Sequence, residues 1–198
     1  ALSDLKLIQG NKLTNAAVLL LAKEDVIDRI FPQAKVLLEF RNIETQIPFD
    51  SRKVFGKPFY KLIDELWETI NQRNGIVPIQ EGAYIGLTGI PFFNEEVIRE
   101  VINNAFAHRD YRKTSEIVIK MYPHRIDIIN AGGFPQGVTL ENLLTVPSTP
   151  RNRLLADVLW QNKKGSGGGA MSEKRSRAAA SSFVFKLAES LGAQIIAL

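Results

Sequence analysis

The chain has 198 residues, 45% of them hydrophobic, and its 25 basic and 21 acidic side chains give a net charge of +4. Because it contains no cysteine and two histidines, disulfides, thiol catalysis and metal sites built from cysteine or several histidines are excluded. No apolar run reaches membrane-spanning length and no secretory signal begins the sequence, so we expect a cytoplasmic protein that does not bind membranes.

The N-terminal part is predicted to alternate between short helices and strands. Residues 1–10 resemble the end of an upstream helix, and residues 12–22 favour a strand that leads into a buried apolar segment. A short helix is predicted over 24–31 and a strand over 34–40. Residues 41–53 are polar and irregular, which is typical of a loop. The chain starts within a pattern and without an initiator methionine, so we expect a domain cut from a larger protein.

The middle of the chain carries a long amphipathic helix and a glycine-rich connection. Apolar side chains recur with helical spacing over 57–73, and Asn74–Gly75 supplies a C-terminal stop. A short strand is predicted over 76–79. Residues 80–93 contain three glycines and Pro91, which predicts a loop.

A second long helix follows, and the rest of the sequence is organised around it. Asn94 stands where an N-cap residue belongs, with Glu95 and Glu96 in the first turn. The apolar residues that follow recur at helical spacing and predict a buried stripe: Val97, Ile98, Val101, Ile102, Ala105 and Phe106.

Three polar side chains lie one turn apart along the edge of that stripe: Glu100, Asn104 and His108. Hydrolysis of a nucleotide needs a carboxylate that positions water and a neutral oxygen ligand for Mg²⁺, and Glu100 and Asn104 offer both. Each residue also has a structural interpretation. Glu100 is equally consistent with a solvated helix carboxylate, Asn104 with a hydrogen bond to a neighbouring loop, and His108 with helix capping or packing.

Two antiparallel strands are predicted over 116–122 and 125–129, and the segment Asn130–Gly133 follows them. Gly132 and Gly133 would let a base or a phosphate approach the backbone closely, or they simply make a turn. Short helices are predicted over 140–144 and 151–161.

The C-terminal part contains a glycine run over 163–170, followed by a helix and a strand over 171–198. Gly165 and Gly167 could surround phosphates with backbone N–H groups. The same run, followed by Met171, is also typical of an engineered linker joined to another segment.

The linked strings GNKLTNAAVLLLAK, PFFNEEVIREVINNAFAHRDY, RIDIINAGGFPQGVTLENLL and STPRNRLLADVLW carry a family resemblance over Leu7–Gln161. They resemble the histidine-kinase-like (GHKL) ATPase domain found beside Schlafen/AlbA-type domains in RecG-like, transcriptional-regulator proteins of prokaryotes. The resemblance implies that Glu100 activates water and that Asn104 binds both the nucleotide and Mg²⁺. It also implies that His108, Asn130, Gly132 and Gly133 border the nucleotide, and that Gly165 and Gly167 belong to an ATP lid.

The sequence departs from the family pattern at two places. The Asp that binds the adenine amino group in the family is replaced by Asn130 or Ile129, depending on the alignment. In the family, an acidic residue often follows one turn after the asparagine that corresponds to Asn104. It is absent here, because Ala107 and His108 occupy that region.

The fold that we predict is α+β: a two-layer α/β sandwich of Bergerat/GHKL type, with a mixed, mostly antiparallel sheet covered by helices on one face. Residues 1–162 form the ATPase-type domain, with an N-terminal part (1–56) and a core (57–162). Residues 163–170 are a lid or a linker, and 171–198 are a helix–strand segment, fused from elsewhere on the linker interpretation.

For function, we predict a degenerate or low-activity domain that binds ATP with Mg²⁺, with weak ATPase activity as its enzymatic potential. The nucleotide state would regulate the assembly of attached domains in a prokaryotic regulator. The alternative is a nucleotide-free dimerisation or protein-interaction module. Expected partners are an upstream AlbA/Schlafen-type or DNA-binding domain and a second copy of the chain; direct nucleic-acid binding is not expected from so mild a charge.

Overall fold

The computed structural model of the protein describes residues 4–43, 49–81, 84–133, 139, 142, 145 and 149–163. These residues contain five helices and eight strands, which makes the α+β class predicted from the sequence. In chain order the elements are β1 (Ile8–Gln9), β2 (Lys12–Leu13), α1 (Asn15–Leu21), α2 (Glu24–Ile30), β3 (Val36–Phe40), β4 (Ser51–Phe55), α3 (Phe59–Asn71), β5 (Ile76–Glu81), β6 (Tyr84–Pro91), α4 (Glu95–His108), β7 (Ile117–Met121), β8 (Ile126–Ile129) and α5 (Arg153–Lys163).

The largest sheet has four strands in the order β4-β3-β7-β8. β3 runs parallel to β7, with Val36 opposite Ile117 and Phe40 opposite Met121, and the other two pairs are antiparallel. A parallel pair requires a long crossover connection, and α3 and α4 lie within that connection. The sheet is therefore mixed and mostly antiparallel, as predicted.

The helices cover one face of this sheet. Along β7, every second side chain is buried, beginning with Ile117, because alternate residues of a strand face opposite sides. α3 and α4 pack together through Phe59 and Phe106, whose rings stack with centroids 3.9 Å apart. Fully buried apolar side chains come from both layers: Leu38, Leu62, Leu66, Ile70, Ile102 and Ile117. Burial of each contributes about 1.5–3 kcal/mol to folding.

The predicted helices over 24–31, 57–73 and 151–161 and the predicted strands over 34–40, 116–122 and 125–129 are confirmed to within a few residues. Of the predicted helix over 140–144 the structure describes only Asn142, and everything beyond Lys163, including Gly165 and Gly167, lies outside the described residues. Within the described part of the chain, no helix is both long and apolar enough to cross a membrane.

The prediction for the first residues is wrong. β1 and β2 form a small hairpin with Ile8 opposite Leu13, and Gly10 makes the turn with φ of +61°. A glycine at positive φ suits both a helix stop and a hairpin turn, so the residue alone did not distinguish them. The predicted strand is limited to Lys12–Leu13, because Thr14 caps α1 by accepting a 3.2 Å hydrogen bond from the Ala17 amide.

Two predicted loops contain strands. β4, within and beyond the predicted loop 41–53, is an edge strand whose side chains are mostly exposed, so it carries little apolar signal. β6 lies within the predicted loop 80–93 and pairs with β5. Its Gly89 is required by packing, because a Cβ atom there would lie 2.1 Å from Cγ2 of Ile76 and 2.6 Å from the Val77 carbonyl oxygen. A glycine needed for strand packing was thus mistaken for a loop signal.

Candidate functional site

α4 begins where the sequence predicts. The Asn94 side chain accepts hydrogen bonds from the backbone amides of Glu96 (2.9 Å) and Val97 (3.3 Å). Arg99 then joins α4 to α3, because it pairs with Glu95 at 2.7 Å and with Asp64 at 2.6 Å.

Glu100 and Asn104 contact each other on one edge of α4. Nδ2 of Asn104 donates to Oε1 of Glu100 at 3.4 Å, and both residues are half-buried. The pair places a carboxylate and a neutral amide oxygen on adjacent turns. These are suitable groups for positioning water and for ligating a hard cation. No cluster of three or more His, Asp or Glu side chains that could hold a metal occurs among the described residues.

Asn130 follows β8 and is bound to α4 through its side chain. Its Nδ2 donates a 2.6 Å hydrogen bond to the carbonyl oxygen of Ala105. Because a carbonyl can only accept, this bond fixes the orientation of the amide. Oδ1 of Asn130 is buried and has no hydrogen-bond partner within the described part of the chain. The structure thus presents a desolvated acceptor next to the C-terminal half of α4.

The turn after Asn130 packs closely against the end of α4. The Asp110 amide donates to the Ala131 carbonyl at 2.8 Å, and Gly132 has φ of +130°. A Cβ atom on Gly132 would lie 3.4 Å from Cβ of Asp110, whereas one on Gly133 would meet nothing within 4 Å. Gly132 is therefore required by its conformation, and Gly133 is not.

Charged side chains surround this turn. Arg112 binds the Asp110 carboxylate through Nε and Nη2, each at 2.9 Å, and these hydrogen bonds hold the pKa of Asp110 well below its ordinary value. Arg151 approaches the same carboxylate at 3.7 Å and donates from Nη2 to the Gly133 carbonyl at 3.0 Å.

His108 lies on the last turn of α4 and is half-buried. Burial lowers its pKa, and the positive charge of Arg151 lowers it further. The imidazole is therefore neutral at neutral pH, and it can both donate and accept a hydrogen bond.

α4 ends at His108, and an ion pair just beyond it joins Asp110 to Arg112. Arg109 is fully buried, and its Nη2 donates to main-chain carbonyls, including Gln33 at 2.9 Å. Arg109 is inaccessible to a ligand, so its role is to hold the end of α4 in the core.

Asn152 makes a structural contact that the sequence did not predict. Its Nδ2 donates to the carbonyls of Ala107 (3.1 Å) and Arg109 (2.7 Å), and its backbone amide donates to Ala107 at 2.8 Å. Asn152, which lies directly before α5, thus caps the C-terminus of α4. In the sequence, its position shortly after Pro150 predicts only the start of a helix.

The structure brings most of the predicted site residues to one region. Glu100, Asn104 and His108 follow one edge of α4, while Asn130 and Gly132 contact the C-terminal part of the same helix. Gly133 is held through Arg151. Their assignment to nucleotide binding or catalysis stays a prediction.

Residues 114–190 match a protein-family model described as "Putative ATP-dependent DNA helicase recG C-terminal", which supports a RecG-like ATPase-type domain. The search of curated proteins gave no match. Among solved structures, the DIP2311 protein from Corynebacterium diphtheriae is similar, with a TM-score of 0.66 and 22% sequence identity. The match covers 81% of this chain and 31% of that chain. At this identity the likeness concerns the fold alone.

Proposed function

We propose that this chain is a GHKL-type ATP-binding domain of a RecG-like prokaryotic regulator, and that its nucleotide state alters the assembly of attached domains. The family match supports an ATPase-type domain, and the arrangement of α4 against the turn 130–133 supports a nucleotide site. Residual hydrolysis, if the chain retains it, depends on Glu100. Regulation, the attached AlbA/Schlafen-type or DNA-binding domain and the cytoplasmic setting are parts of the same proposal.

The observation that carries the proposal is the buried, unpartnered Oδ1 of Asn130 within the described residues. A buried acceptor without a partner is costly, and a bound N–H donor would remove that cost. The amino group of adenine is such a donor, whereas guanine presents a carbonyl at the same ring position. An amide oxygen accepts a hydrogen bond as a carboxylate does, so Asn130 in place of the family's Asp keeps the acceptor.

The remaining residues fit the other parts of ATP with Mg²⁺. Asn104 offers an amide oxygen to Mg²⁺, an ion that is bound by few protein ligands and keeps several waters. Glu100 would orient water by accepting a hydrogen bond from it. His108, Gly132 and Gly133 would border the nucleotide, and Gly165 and Gly167 keep the nucleotide-binding role that the family resemblance implies. The bound ion would neutralise phosphate charge.

Calorimetric titration with a non-hydrolysable ATP analogue, with and without Mg²⁺, tests the proposal. We expect magnesium-dependent binding and a clear preference over the matching GTP analogue. Asn130→Ala should weaken the affinity by about tenfold or more, since one buried hydrogen bond is lost. Asn130→Asp should not restore it fully, because a carboxylate cannot donate to the Ala105 carbonyl that orients the side chain. Asn103→Ala is the control, because it removes another half-buried amide of α4. Absence of heat at millimolar nucleotide would contradict the proposal.

Two variants assign the roles on α4. Glu100→Ala should abolish hydrolysis and keep binding, whereas Asn104→Ala should remove the magnesium dependence of binding. If turnover is unchanged in Glu100→Ala, that carboxylate does not activate water. If the affinity of Asn104→Ala is unchanged with Mg²⁺, the amide is structural.

One observation favours the alternative, a nucleotide-free dimerisation or interaction module. The β5–β6 hairpin is a separate two-stranded sheet, and its base exposes Ile76 (62%), Val77 (45%) and Ile90 (61%). A two-stranded hairpin is marginally stable alone, and exposed apolar side chains favour association. Light scattering would detect a dimer. Ile90→Asp should dissociate it, and Val54→Asp, at an exposed valine of β4, should not.

A further inference from the structure

We infer that Asp110 and Arg151 are positioning residues that together clamp the turn Ala131–Gly133 against the end of α4, and so set the affinity of the site for a phosphate-bearing ligand. We call this pair and its contacts the turn clamp. The part of the inference that concerns affinity rests on the proposed nucleotide-binding function, whereas the clamping itself does not.

Asp110 holds the first half of the turn. Its amide donates to the Ala131 carbonyl at 2.8 Å, and its Cβ would lie 3.4 Å from a Cβ atom added to Gly132. Because Asp110 directly follows the end of α4, these contacts fix the distance between the helix and the turn. These contacts therefore hold α4, which carries Glu100 and Asn104, at a fixed position relative to Gly132.

Arg151 holds the second half of the turn. It comes from the segment before α5, and its Nη2 donates to the Gly133 carbonyl at 3.0 Å while Nη1 lies 3.7 Å from Oδ2 of Asp110. Its neighbour Asn152 is bound to the end of α4, so the arginine projects from an anchored backbone. One guanidinium therefore contacts both the turn and Asp110.

Arg112 provides an internal comparison. It binds the same Asp110 carboxylate more closely than Arg151 does, yet its side chain is 83% exposed against 29% for Arg151. No hydrogen bond from Arg112 to residues 131–133 occurs in the described structure. Ion pairs of exposed side chains contribute little to stability, so Arg112 should be dispensable for the turn.

The charges of the turn clamp suit an anionic ligand. Arg151 places its positive charge beside Gly132 and Gly133. Arg151 uses one of its N–H groups to donate to a main-chain carbonyl of the turn. Its remaining N–H groups can donate to phosphate oxygens while that hydrogen bond is kept. Loss of Arg151 would remove both the charge and the fixed position of the turn.

The test compares Arg151→Gln and Arg151→Lys with Arg112→Gln as matched control, by amide hydrogen exchange resolved at single residues and by calorimetry with the magnesium-loaded ATP analogue. We expect exchange at the Asp110 amide to accelerate about tenfold in Arg151→Gln and to stay unchanged in Arg112→Gln. Affinity should fall about tenfold in Arg151→Gln, with partial recovery in Arg151→Lys, while the global unfolding midpoint stays close to that of the wild type.

Equal exchange at Asp110 in Arg151→Gln and Arg112→Gln would overturn the clamp. Unchanged affinity in Arg151→Gln, with the wild type binding the analogue, would overturn its role in affinity. If the wild type binds no analogue, the proposed function and the link to affinity both fail, and hydrogen exchange alone decides whether Asp110 and Arg151 position the turn.

Discussion

Gly132 and Gly133 are neighbours in the chain, but their α carbons face different surroundings. Gly132 has φ of +130° and lies against Asp110 and Arg151, whereas Gly133 is exposed and faces open space. A side chain at the first position must adopt a strained backbone conformation. We therefore expect Gly132→Ala to lower the free energy of unfolding by about 1–3 kcal/mol, measured by urea denaturation.

Gly133→Ala is the matched control and should stay within about 0.5 kcal/mol of the wild type, as exposed substitutions usually do. Equal destabilisation by both variants would mean that the conformation of Gly132 imposes no special requirement. The sequence alone could not separate these two glycines, because the difference depends on Asp110 and Arg151. Both are far from the turn in sequence.

At the scale of elements, Asn152 couples α4 to α5. Its side chain donates to the carbonyls of Ala107 and Arg109, and its own carbonyl accepts from Ala156 within the first turn of α5. Asn152→Ala leaves the last carbonyls of α4 without these side-chain donors. It should lower the free energy of unfolding by about 1–3 kcal/mol. Thermal and urea unfolding of the full chain would measure the loss.

Asn152→Asp makes the prediction more specific. The carboxylate cannot donate, and its negative charge would lie at the negative end of the α4 dipole. We expect it to be less stable than Asn152→Ala. If it matches the wild type instead, the side chain does not cap α4.

Elements whose signals are local were predictable, and those that depend on distant partners were not. Asn94 and the apolar stripe after it define α4 within one segment. The structure confirms the N-cap and the burial of Ile98, Ile102, Ala105 and Phe106, whereas Val97 and Val101 are half-buried. β6 was missed because Gly89 is explained by Ile76, a residue on another strand. The orphaned oxygen of Asn130 is likewise invisible in sequence, because the bond that orients it comes from Ala105, 25 residues earlier. The mutual contacts of the candidate site residues were therefore not accessible from the sequence, and their functional roles stay a prediction.

At the scale of the whole molecule, His108 should make global stability depend on pH. Burial and Arg151 lower its pKa in the folded state, so the unfolded chain takes up a proton at a higher pH than the folded one does. The free energy of unfolding should then be at its plateau above the ordinary histidine pKa of about 6.5 and should fall as the pH drops below it. The pKa values of Asp110 and Glu39 are lowered from their ordinary values of 3.8 and 4.5. These two groups therefore make the free energy of unfolding depend on pH only below their ordinary values. The interval from pH 7 to pH 5 therefore isolates the histidine.

Urea denaturation of the wild type and of His108→Gln at several pH values in this interval tests the linkage. The wild type should lose stability on acidification, whereas His108→Gln should give a nearly flat profile, because glutamine does not titrate. His124→Gln, at the exposed turn between β7 and β8, serves as the matched control and should keep the slope of the wild type. Arg151→Gln should reduce the slope without removing it, since burial, the larger cause of the lowered His108 pKa, remains. If the pH dependence of unfolding seen in the wild type persists in His108→Gln, another group binds the proton. In that case the effect of Arg151 on His108 does not determine how stability depends on pH.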